Sequence, residues 1–295
     1  MFGLPALLAA TLLVGVLGTP ASSAGEQATC TYDEPSKTVT LTTPSGLFVA
    51  AQLSAEGGVI SFQEGSFETG GFGPAQPCGT ATTSNTDLIR IQGAAGSLVL
   101  LAVDQALGAF APGFTAEPTG VSEIEFEFLP NGFFLIGRTA APTLARLGTA
   151  DANVNGDDDV DVTFAGTGTA VGFIGGAGAD DLAATGGFGT GDPATVDFIA
   201  VGAEGDDLLV AGRGRAELDG DEGNDILVGG SSADVMNGGV GNDRLTGGAG
   251  ADGLRGEAGK DVLNGGAKND FLNGGSGRDR CVGGPGQDKI KKCET

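Results

Sequence analysis

The 295-residue chain contains no histidine and no tryptophan, and it has a single tyrosine. Without histidine it can hold neither an HExxH zinc-protease motif nor a Ser-His-Asp triad. A GxSxG nucleophile elbow is also missing, and the Gly-rich stretch 256–260 lacks the GK[ST] ending of a phosphate-binding loop. These absences exclude the commonest hydrolase and nucleotide-binding sites.

Positive charge is scarce. The chain has 15 Lys and Arg against 38 Asp and Glu, which gives a formal net charge of −23. Binding to nucleic-acid phosphates needs clustered cationic side chains, so nucleic acid is excluded as an expected partner. Excess carboxylate is typical either of a soluble or disordered chain or of a protein that binds cations.

The N-terminus combines an apolar run, Leu4 to Leu17, with the small residues Ala21 to Ala24. This pattern predicts a secretory signal peptide over residues 1–24 and therefore an extracellular protein. Pro5 and the lack of a basic segment leave a short membrane anchor as the alternative. No other stretch is long enough to span a bilayer.

The four cysteines, Cys30, Cys78, Cys281 and Cys293, become interpretable in an oxidising compartment. No CxxC spacing is present, which argues against zinc. Four cysteines allow three connectivities, and proximity in sequence favours Cys30–Cys78 and Cys281–Cys293. The second bridge would fold the tail over the open end of a repeat array.

Residues 25–148 show short β-type runs between Gly and Pro residues, and helical periodicity is hard to find. We expect an all-β domain of unknown role. Residues 123–128 alternate Glu with Ile or Phe, and a Pro-Asn-Gly sequence separates them from the apolar run Phe133 to Ile136. This predicts a β-hairpin with one solvated face.

The three carboxylates of that alternation, Glu123, Glu125 and Glu127, could instead form a general acid and base pair. A solvated strand face explains the same spacing without further assumptions. Other candidates for a histidine-free enzyme, such as a calcium-dependent polysaccharide lyase, are the basic residues Arg90, Arg138 and Arg146. They form no recognisable constellation, so we expect no enzyme.

From residue 149 to 201 the chain is an acidic, Gly- and Asp-rich transition. The segment Asp151 to Asp159 places oxygen side chains at alternate positions, as an EF-hand loop does. Val162 occupies the twelfth position, where a bidentate Glu is expected, and no flanking helices are evident. The alternatives are a calcium loop, an acidic linker or an irregular early repeat.

From Gly202 the sequence repeats with a period of nine and without a slip, through ten units. Position eight is apolar in every unit, where it is Leu, Met, Ile or, at residue 281, Cys. Position six is Asp except at Ala216, and the unit at 175–183 has the same pattern. The predicted metal ligands are Asp180, Asp207, Asp225, Asp234, Asp243, Asp252, Asp261, Asp270, Asp279 and Asp288.

Two columns at a fixed period indicate a solenoid with one structural step per unit. The GGxGxDxUx pattern resembles the RTX, or haemolysin-type calcium-binding, repeat family. The resemblance implies a parallel β-roll over residues 202–295, with several Ca²⁺ ions in a row along each edge. We expect glycines at positions one, two and four to supply positive φ and inward carbonyls, and Asp to supply the anionic oxygen.

Each nonamer buries one apolar side chain, worth about 1.5–3 kcal/mol, while ordering nine backbone residues costs roughly 9–18 kcal/mol. We therefore expect calcium binding and folding to be a single event. A metal-free solenoid with Asp capping the turns is the alternative. Ser232, Lys268 and Ala216 depart from the motif, so sites beside them are expected to be weak.

These patterns predict an all-β protein, with an N-terminal β domain followed by the roll. Its expected function is that of a secreted calcium-binding protein. A calcium-stiffened surface or adhesion protein, in which residues 25–148 bind an extracellular ligand, is the alternative.

Overall fold

A computed structural model describes residues 28–43, 48–54, 59–66, 71–72, 74–82, 86, 88–93, 98–104, 125–129, 133–137, 144–147, 151–153, 162–164, 170–185 and 194–294. These ranges contain strands and no helix, so the predicted all-β class is confirmed. Accordingly, the described residues hold no helix of the length and apolarity that a membrane span requires. The predicted signal peptide lies outside the described residues.

The strands are numbered in chain order. They are β1 (Thr29–Asp33), β2 (Thr38–Thr43), β3 (Phe48–Ser54), β4 (Val59–Ser66), β5 (Gly71–Phe72), β6 (Gln76–Thr82), β7 (Leu88–Gly93), β8 (Leu98–Asp104), β9 (Glu125–Leu129), β10 (Phe133–Gly137), β11 (Leu144–Leu147), β12 (Asp151–Asn153), β13 (Val162–Phe164), β14 (Ala170–Ala177), β15 (Asp181–Ala183), β16 (Phe198–Glu204), β17 (Leu208–Val210), β18 (Ala216–Glu222), β19 (Ile226–Val228), β20 (Val235–Gly241), β21 (Arg244–Gly248), β22 (Gly253–Gly259), β23 (Val262–Gly266), β24 (Phe271–Gly277), β25 (Arg280–Val282) and β26 (Lys289–Lys291).

The chain divides into two compact units, and the first comprises residues 1–138 and 160–170. One of its sheets contains the parallel strands β2, β7, β9 and β13, with β1 antiparallel to β2. The other contains the parallel strands β3, β8 and β10, and β4 adds to β3 with β5 and β6 beside it. The predicted Cys30–Cys78 bridge is confirmed.

The predicted hairpin of residues 123–136 is wrong. Strand β9 pairs in parallel with β7 and β13, whereas β10 pairs in parallel with β8 in the other sheet. Phe126 lies in register with Ile89, which itself pairs with Val39, and both of those side chains are fully buried. Alternation of polar and apolar residues specifies which face of a strand is buried, but it does not specify the partner strand. Here β9 and β10 pair with the earlier strands β7 and β8 and not with each other.

The second unit comprises residues 139–159 and 171–295. From residue 198 to 291 it forms about five turns of a parallel β-solenoid, as the sequence predicts. The even-numbered strands β14 to β26 form one sheet and the odd-numbered strands β15 to β25 form the other. Equivalent residues on neighbouring turns are 18 apart, as for Leu209 and Leu227, so one turn contains two nonamers.

The interior of the roll is the position-eight column. Leu218 pairs with Met236 and Met236 with Leu254 in one sheet, and the leucines of the other sheet align in the same way. Every apolar side chain of this column from Leu209 to Leu272 is at most 2% exposed. The column opens at the last turn, where Ile290 is 45% exposed.

Residues 175–183 belong to the same array, with nine additional residues before the next turn. Asp181 pairs with Leu208, an offset of 27 rather than 18 residues. The backbone N–H of Ala194 donates a 2.9 Å hydrogen bond to the carbonyl oxygen of Ala184 and so closes this excursion at its base. Residues 186–193 of this excursion lie outside the described residues.

Candidate metal-binding site

The turns between the two sheets form two edges of the roll, each with its own column of position-six residues. On the first edge, where even strands lead into odd strands, the column is Asp180, Asp207, Asp225, Asp243, Asp261 and Asp279. On the second edge it is Ala216, Asp234, Asp252, Asp270 and Asp288. All of these carboxylates except that of Asp288 are at most 2% exposed.

From Asp207 onward, one oxygen of each carboxylate accepts a hydrogen bond from a backbone N–H of the preceding turn. The N–H of Asp207 donates to Asp225 Oδ1 at 2.9 Å, and the N–H of Asp225 donates to Asp243 Oδ1 at 2.9 Å. The same bond joins Asp252 to Asp270 on the second edge. The position-six Asp therefore has a structural role across turns that the sequence alone did not suggest.

The second oxygen is left without a partner. Among the described residues, the buried Oδ2 atoms without a hydrogen bond include those of Asp207, Asp225, Asp243, Asp252, Asp261 and Asp270. Burying a carboxylate oxygen without a donor is costly unless a cation or proton compensates it. A repeated orphan oxygen at one motif position therefore points to a ligand that the protein chain does not supply.

The position-one glycines show what surrounds that oxygen. A methyl group added at Gly220 would lie within 3.0 Å of both Asp225 Oδ2 and the carbonyl oxygen of Gly238 on the next turn. The corresponding clash recurs at Gly256, with Asp261 Oδ2 and the Gly274 carbonyl. A carboxylate oxygen and a carbonyl oxygen from neighbouring turns therefore converge on a space that only glycine leaves open.

The expected reason for the position-one glycine was consequently wrong. None of these glycines has positive φ, whereas position two does, as at Gly239 (φ 104°). Position two also tolerates side chains, since Asp221 and Glu257 have φ of 67° and 70°. Position one requires glycine for space, and position two favours it for backbone conformation.

Position four is constrained by the previous turn. A Cβ at Gly223 or Gly241 would meet the carbonyl oxygen of the residue 18 positions earlier, and both glycines have φ near 155°. Lys268 fits this position on the second edge with φ of 81°. The Ser232 hydroxyl donates to the Arg213 carbonyl oxygen at 2.8 Å. The roll thus accommodates both departures from the motif.

The electrostatics of the columns favour a cation. Burial, the largest cause, raises the pKa of Asp225 to about 7 and those of Asp207 and Asp261 to about 6, and neighbouring carboxylates add to each shift. Burial likewise raises the pKa values of Asp243 and Asp252. Carboxylates in this environment favour neutralisation by a proton or by a bound cation.

The donor set fits a hard cation such as Ca²⁺. Carboxylate and carbonyl oxygens are its preferred ligands, and it accepts six to eight of them, which needs contributions from two turns. Within the described part of the chain no group of three or more His, Cys, Asp or Glu side chains comes together. The carbonyl oxygens of Gly238 and Gly274, which lie close to Asp225 Oδ2 and Asp261 Oδ2 respectively, are candidate ligands beside the carboxylates.

The other sequence candidates fall elsewhere. Glu127 lies in β9, in register with Arg90 of β7, and Arg146 lies in β11. Glu123 and Arg138 lie outside the described residues. Residues 151–153 of the EF-hand-like segment form strand β12, and residues 154–161 are not among those described, so calcium binding there stays a prediction.

Sequence reasoning missed two acidic residues of β18. Burial raises the pKa of Asp219 to about 6, and the pKa of Asp221 is raised by burial and then by Glu222. Asn237 Nδ2 donates to Asp219 Oδ1 at 3.1 Å. Acidic residues at positions nine and two of successive units, which are rare in the rest of the array, were the available signal.

Comparison with known proteins agrees with this geometry. Residues 201–235, 219–254 and 255–290 match the family model of the RTX calcium-binding nonapeptide repeat (4 copies). No curated protein matches the chain. Residues 201–290 thus consist of RTX calcium-binding repeats that form a β-solenoid.

Proposed function

We propose that this protein is a secreted calcium-binding protein, in which Ca²⁺ ions bind between turns along the edges of the roll and drive its folding. The observation that carries the proposal is the series of buried Asp Oδ2 atoms without a partner, each of which lies beside the position-one glycine of its unit. A carbonyl oxygen of the next turn is also close to that glycine for every member of the series except Asp243. A cation at that point would satisfy both atoms.

The ligands fall into two groups. Those with an orphan Oδ2 are Asp207, Asp225, Asp243 and Asp261 on the first edge, and Asp252 and Asp270 on the second. Asp180, Asp279 and Asp288 occupy the same motif position at the ends of the columns and would act similarly. Next to each lies the position-one glycine of its own unit, and for Asp180 the Gly202 carbonyl adds the cross-turn oxygen.

Coupling to folding follows from the thin core. Each nonamer contributes one buried apolar side chain, and this offsets only a fraction of the backbone entropy lost. Stacking the turns also brings anionic side chains into columns, where they repel one another. Calcium bound between the turns would reverse that repulsion and supply the missing free energy.

Secretion is supported by two independent features. Two disulfides are present, Cys30–Cys78 and Cys281–Cys293, and such bonds persist in oxidising compartments. RTX repeat proteins are typically extracellular. Extracellular calcium modules work at about 10⁻⁴–10⁻³ M, so the chain would stay loose during export and fold outside.

We infer a binding role and no catalysis. The RTX repeat is a structural calcium-binding unit, and the chain has no histidine to build the usual catalytic sites. Calcium ions are the partner that the geometry supports, and any extracellular ligand of the N-terminal unit would be additional.

The test is a calorimetric Ca²⁺ titration of the full chain, with circular dichroism recorded from chelator to about 10 mM metal. We expect several ions per chain and a coil-to-β transition. Absence of heat, together with full β structure in chelator, would overturn the proposal in favour of a metal-free solenoid.

A matched pair of variants separates site binding from general electrostatics. Asp206→Asn and Asp207→Asn remove the same charge from neighbouring residues, but Asp206 is exposed and its Oδ1 accepts from Asn224, whereas Asp207 Oδ2 is buried without a partner. We expect Asp207→Asn to lower the number of bound ions by one and Asp206→Asn to leave it unchanged. Equal effects would mean that only net charge matters.

A further inference from the structure

The two edges of the roll differ at their N-terminal ends. On the first edge every turn pairs a position-one glycine with a position-six Asp, beginning with Gly175 and Asp180. On the second edge, the first two turns have an apolar side chain where later turns have the position-one glycine. Ala184 and Ala211 occupy the position that Gly229 has in the next turn. The N–H groups of Ala184, Ala211 and Gly229 each donate to a carbonyl oxygen of the following turn, those of Val210, Val228 and Thr246 respectively.

The position-six column of the second edge is apolar over the same levels. Phe198 pairs with Ala216, and the Ala216 N–H donates to Asp234 Oδ1 at 2.8 Å, so the order is Phe198, Ala216, Asp234. Ala211 and Ala216 therefore replace glycine and Asp in one unit. In other units a Cβ at this position would clash with the position-six Asp carboxylate. The Ala211 methyl fits because residue 216 is alanine and has no carboxylate.

Asp234, the first carboxylate of the second edge, is already satisfied. Its Oδ1 accepts the Ala216 N–H, and its Oδ2 accepts the Gly230 N–H at 2.8 Å. Unlike Asp252 and Asp270 on the same edge, Asp234 leaves no buried oxygen without a partner.

The same levels have a larger apolar core than the rest of the roll. Phe173 and Phe198 pack edge to face with ring centroids 5.7 Å apart, and both are at most 1% exposed. Residues 198–201 of β16 are buried on both faces of the strand, whereas later strands bury alternate residues. Each fully buried Phe or Val adds about 1.5–3 kcal/mol that the thin nonamer core lacks.

We propose that residues 171–185 and 194–228 form a base that folds without metal and is closed on its second edge by Ala184, Ala211 and Ala216. Calcium then folds the later turns onto this base, which takes calcium only on its first edge. Asp234 is then a residue whose two carboxylate oxygens are both hydrogen-bonded and not a calcium ligand, and the ion row of the second edge begins at Asp252. This rests on the proposed function. The base ends in β18 in one sheet and β19 in the other, and the edges of these strands are templates for β20 and β21. Such templates lower the free-energy cost of nucleating the following turns.

Hydrogen exchange of the full chain in chelator tests the proposal directly. We expect the amides of β16 and the first half of β18 to exchange about a hundredfold or more slowly than in an unfolded chain, and those of residues 235–291 to exchange freely. Calcium should protect the latter. Equal, fast exchange of both segments in chelator would overturn the base. Failure to bind any calcium would instead overturn the proposed function, so the two failures are distinguishable.

A rebuilt site provides the second test. The double substitution Ala211→Gly with Ala216→Asp restores the motif, and we expect one additional bound ion and faster exchange of β16 in chelator. The reciprocal pair, Gly247→Ala with Asp252→Ala, copies the alanine closure onto a calcium level and should remove one ion. Asp234→Asn should leave the ion count unchanged. Loss of an ion in Asp234→Asn, or no gain in the rebuilt variant when it folds in calcium, would contradict the assignment.

Discussion

The backbone N–H of Asp225 donates a 2.9 Å hydrogen bond to Oδ1 of Asp243, the equivalent residue one turn later. The Oδ2 atom of the same Asp243 is buried and has no hydrogen-bond partner among the described residues. The two oxygens thus have different environments, one fixed by the fold and one available to a ligand. Substitutions that keep one and remove the other can separate these roles.

Asp243→Asn and Asp243→Ala should both weaken calcium binding, because both remove the anionic Oδ2. Only Ala also leaves the buried Asp225 N–H without an acceptor, which costs about 1–3 kcal/mol. In saturating calcium we therefore expect Ala to be less stable than Asn by that amount. Urea unfolding followed by circular dichroism measures the difference, and identical midpoints would show that the inter-turn hydrogen bond contributes nothing.

Acidification should stabilise the metal-free roll. The folded-state pKa values of Asp207, Asp225 and Asp261 are raised above the ordinary value of 3.8, to about 6 or 7, chiefly by burial. Because the folded chain then binds more protons than the unfolded chain, this stabilisation is complete below pH 3.8 and disappears as the pH rises through 6–7.

We therefore expect metal-free protein to gain β structure between pH 8 and pH 4.5, and calcium affinity to fall over the same interval as protons compete for the carboxylates. Circular dichroism of dialysed protein and calcium titrations at several pH values measure both trends. A metal-free protein that is more structured at pH 8 than at pH 4.5 would contradict the sign of these shifts.

Gly220→Ala should damage the roll, because the added methyl group meets Asp225 Oδ2 and the Gly238 carbonyl oxygen. We expect a loss of about 1–3 kcal/mol from overpacking and one fewer bound ion. Gly253→Ala is the control, since its methyl would have no heavy atom within 4 Å and should change stability by less than about 0.5 kcal/mol. Equal effects of the two substitutions in thermal unfolding and calorimetry would argue against a defined cage.

The Cys281–Cys293 bridge should protect the open end of the roll. Its sequence separation is 12, and the tail it restrains includes Glu294, whose N–H donates to the Asp279 carbonyl oxygen at 2.7 Å. Replacing both cysteines by serine should cost the last turn about 2–3 kcal/mol. Hydrogen exchange should then rise in β25 and β26 and stay unchanged in β20.

An exposed ion pair gives the matching control for this cap. Arg278 and Glu294 pair at 3.2 Å, but their side chains are 77% and 55% exposed. Such pairs contribute about 0–1 kcal/mol, so Arg278→Gln should leave exchange in the last turn nearly unchanged. If Arg278→Gln opens the last turn as much as loss of the disulfide does, the bridge is not what secures it.

The sequence by itself determined the period and the inward position-eight column, and its resemblance to the RTX repeats implied the parallel roll. A strict nonapeptide repeat gives every unit the same local conformation, and identical units can bury a single apolar column only by stacking in parallel. Proximity along the chain only favoured the cysteine pairs among three connectivities, and the structure decided between them.

Only the tertiary structure decided the partners that lie one turn away. It replaced the expected hairpin of Glu125 to Ile136 by strands in two sheets, because alternation fixes a buried face but not a neighbour. It showed that position-one glycines such as Gly220 leave room for two oxygens, and that Ala211 and Ala216 close one edge together. A repeat period predicts that units stack, but it does not specify which individual atoms meet within a unit or between neighbouring turns.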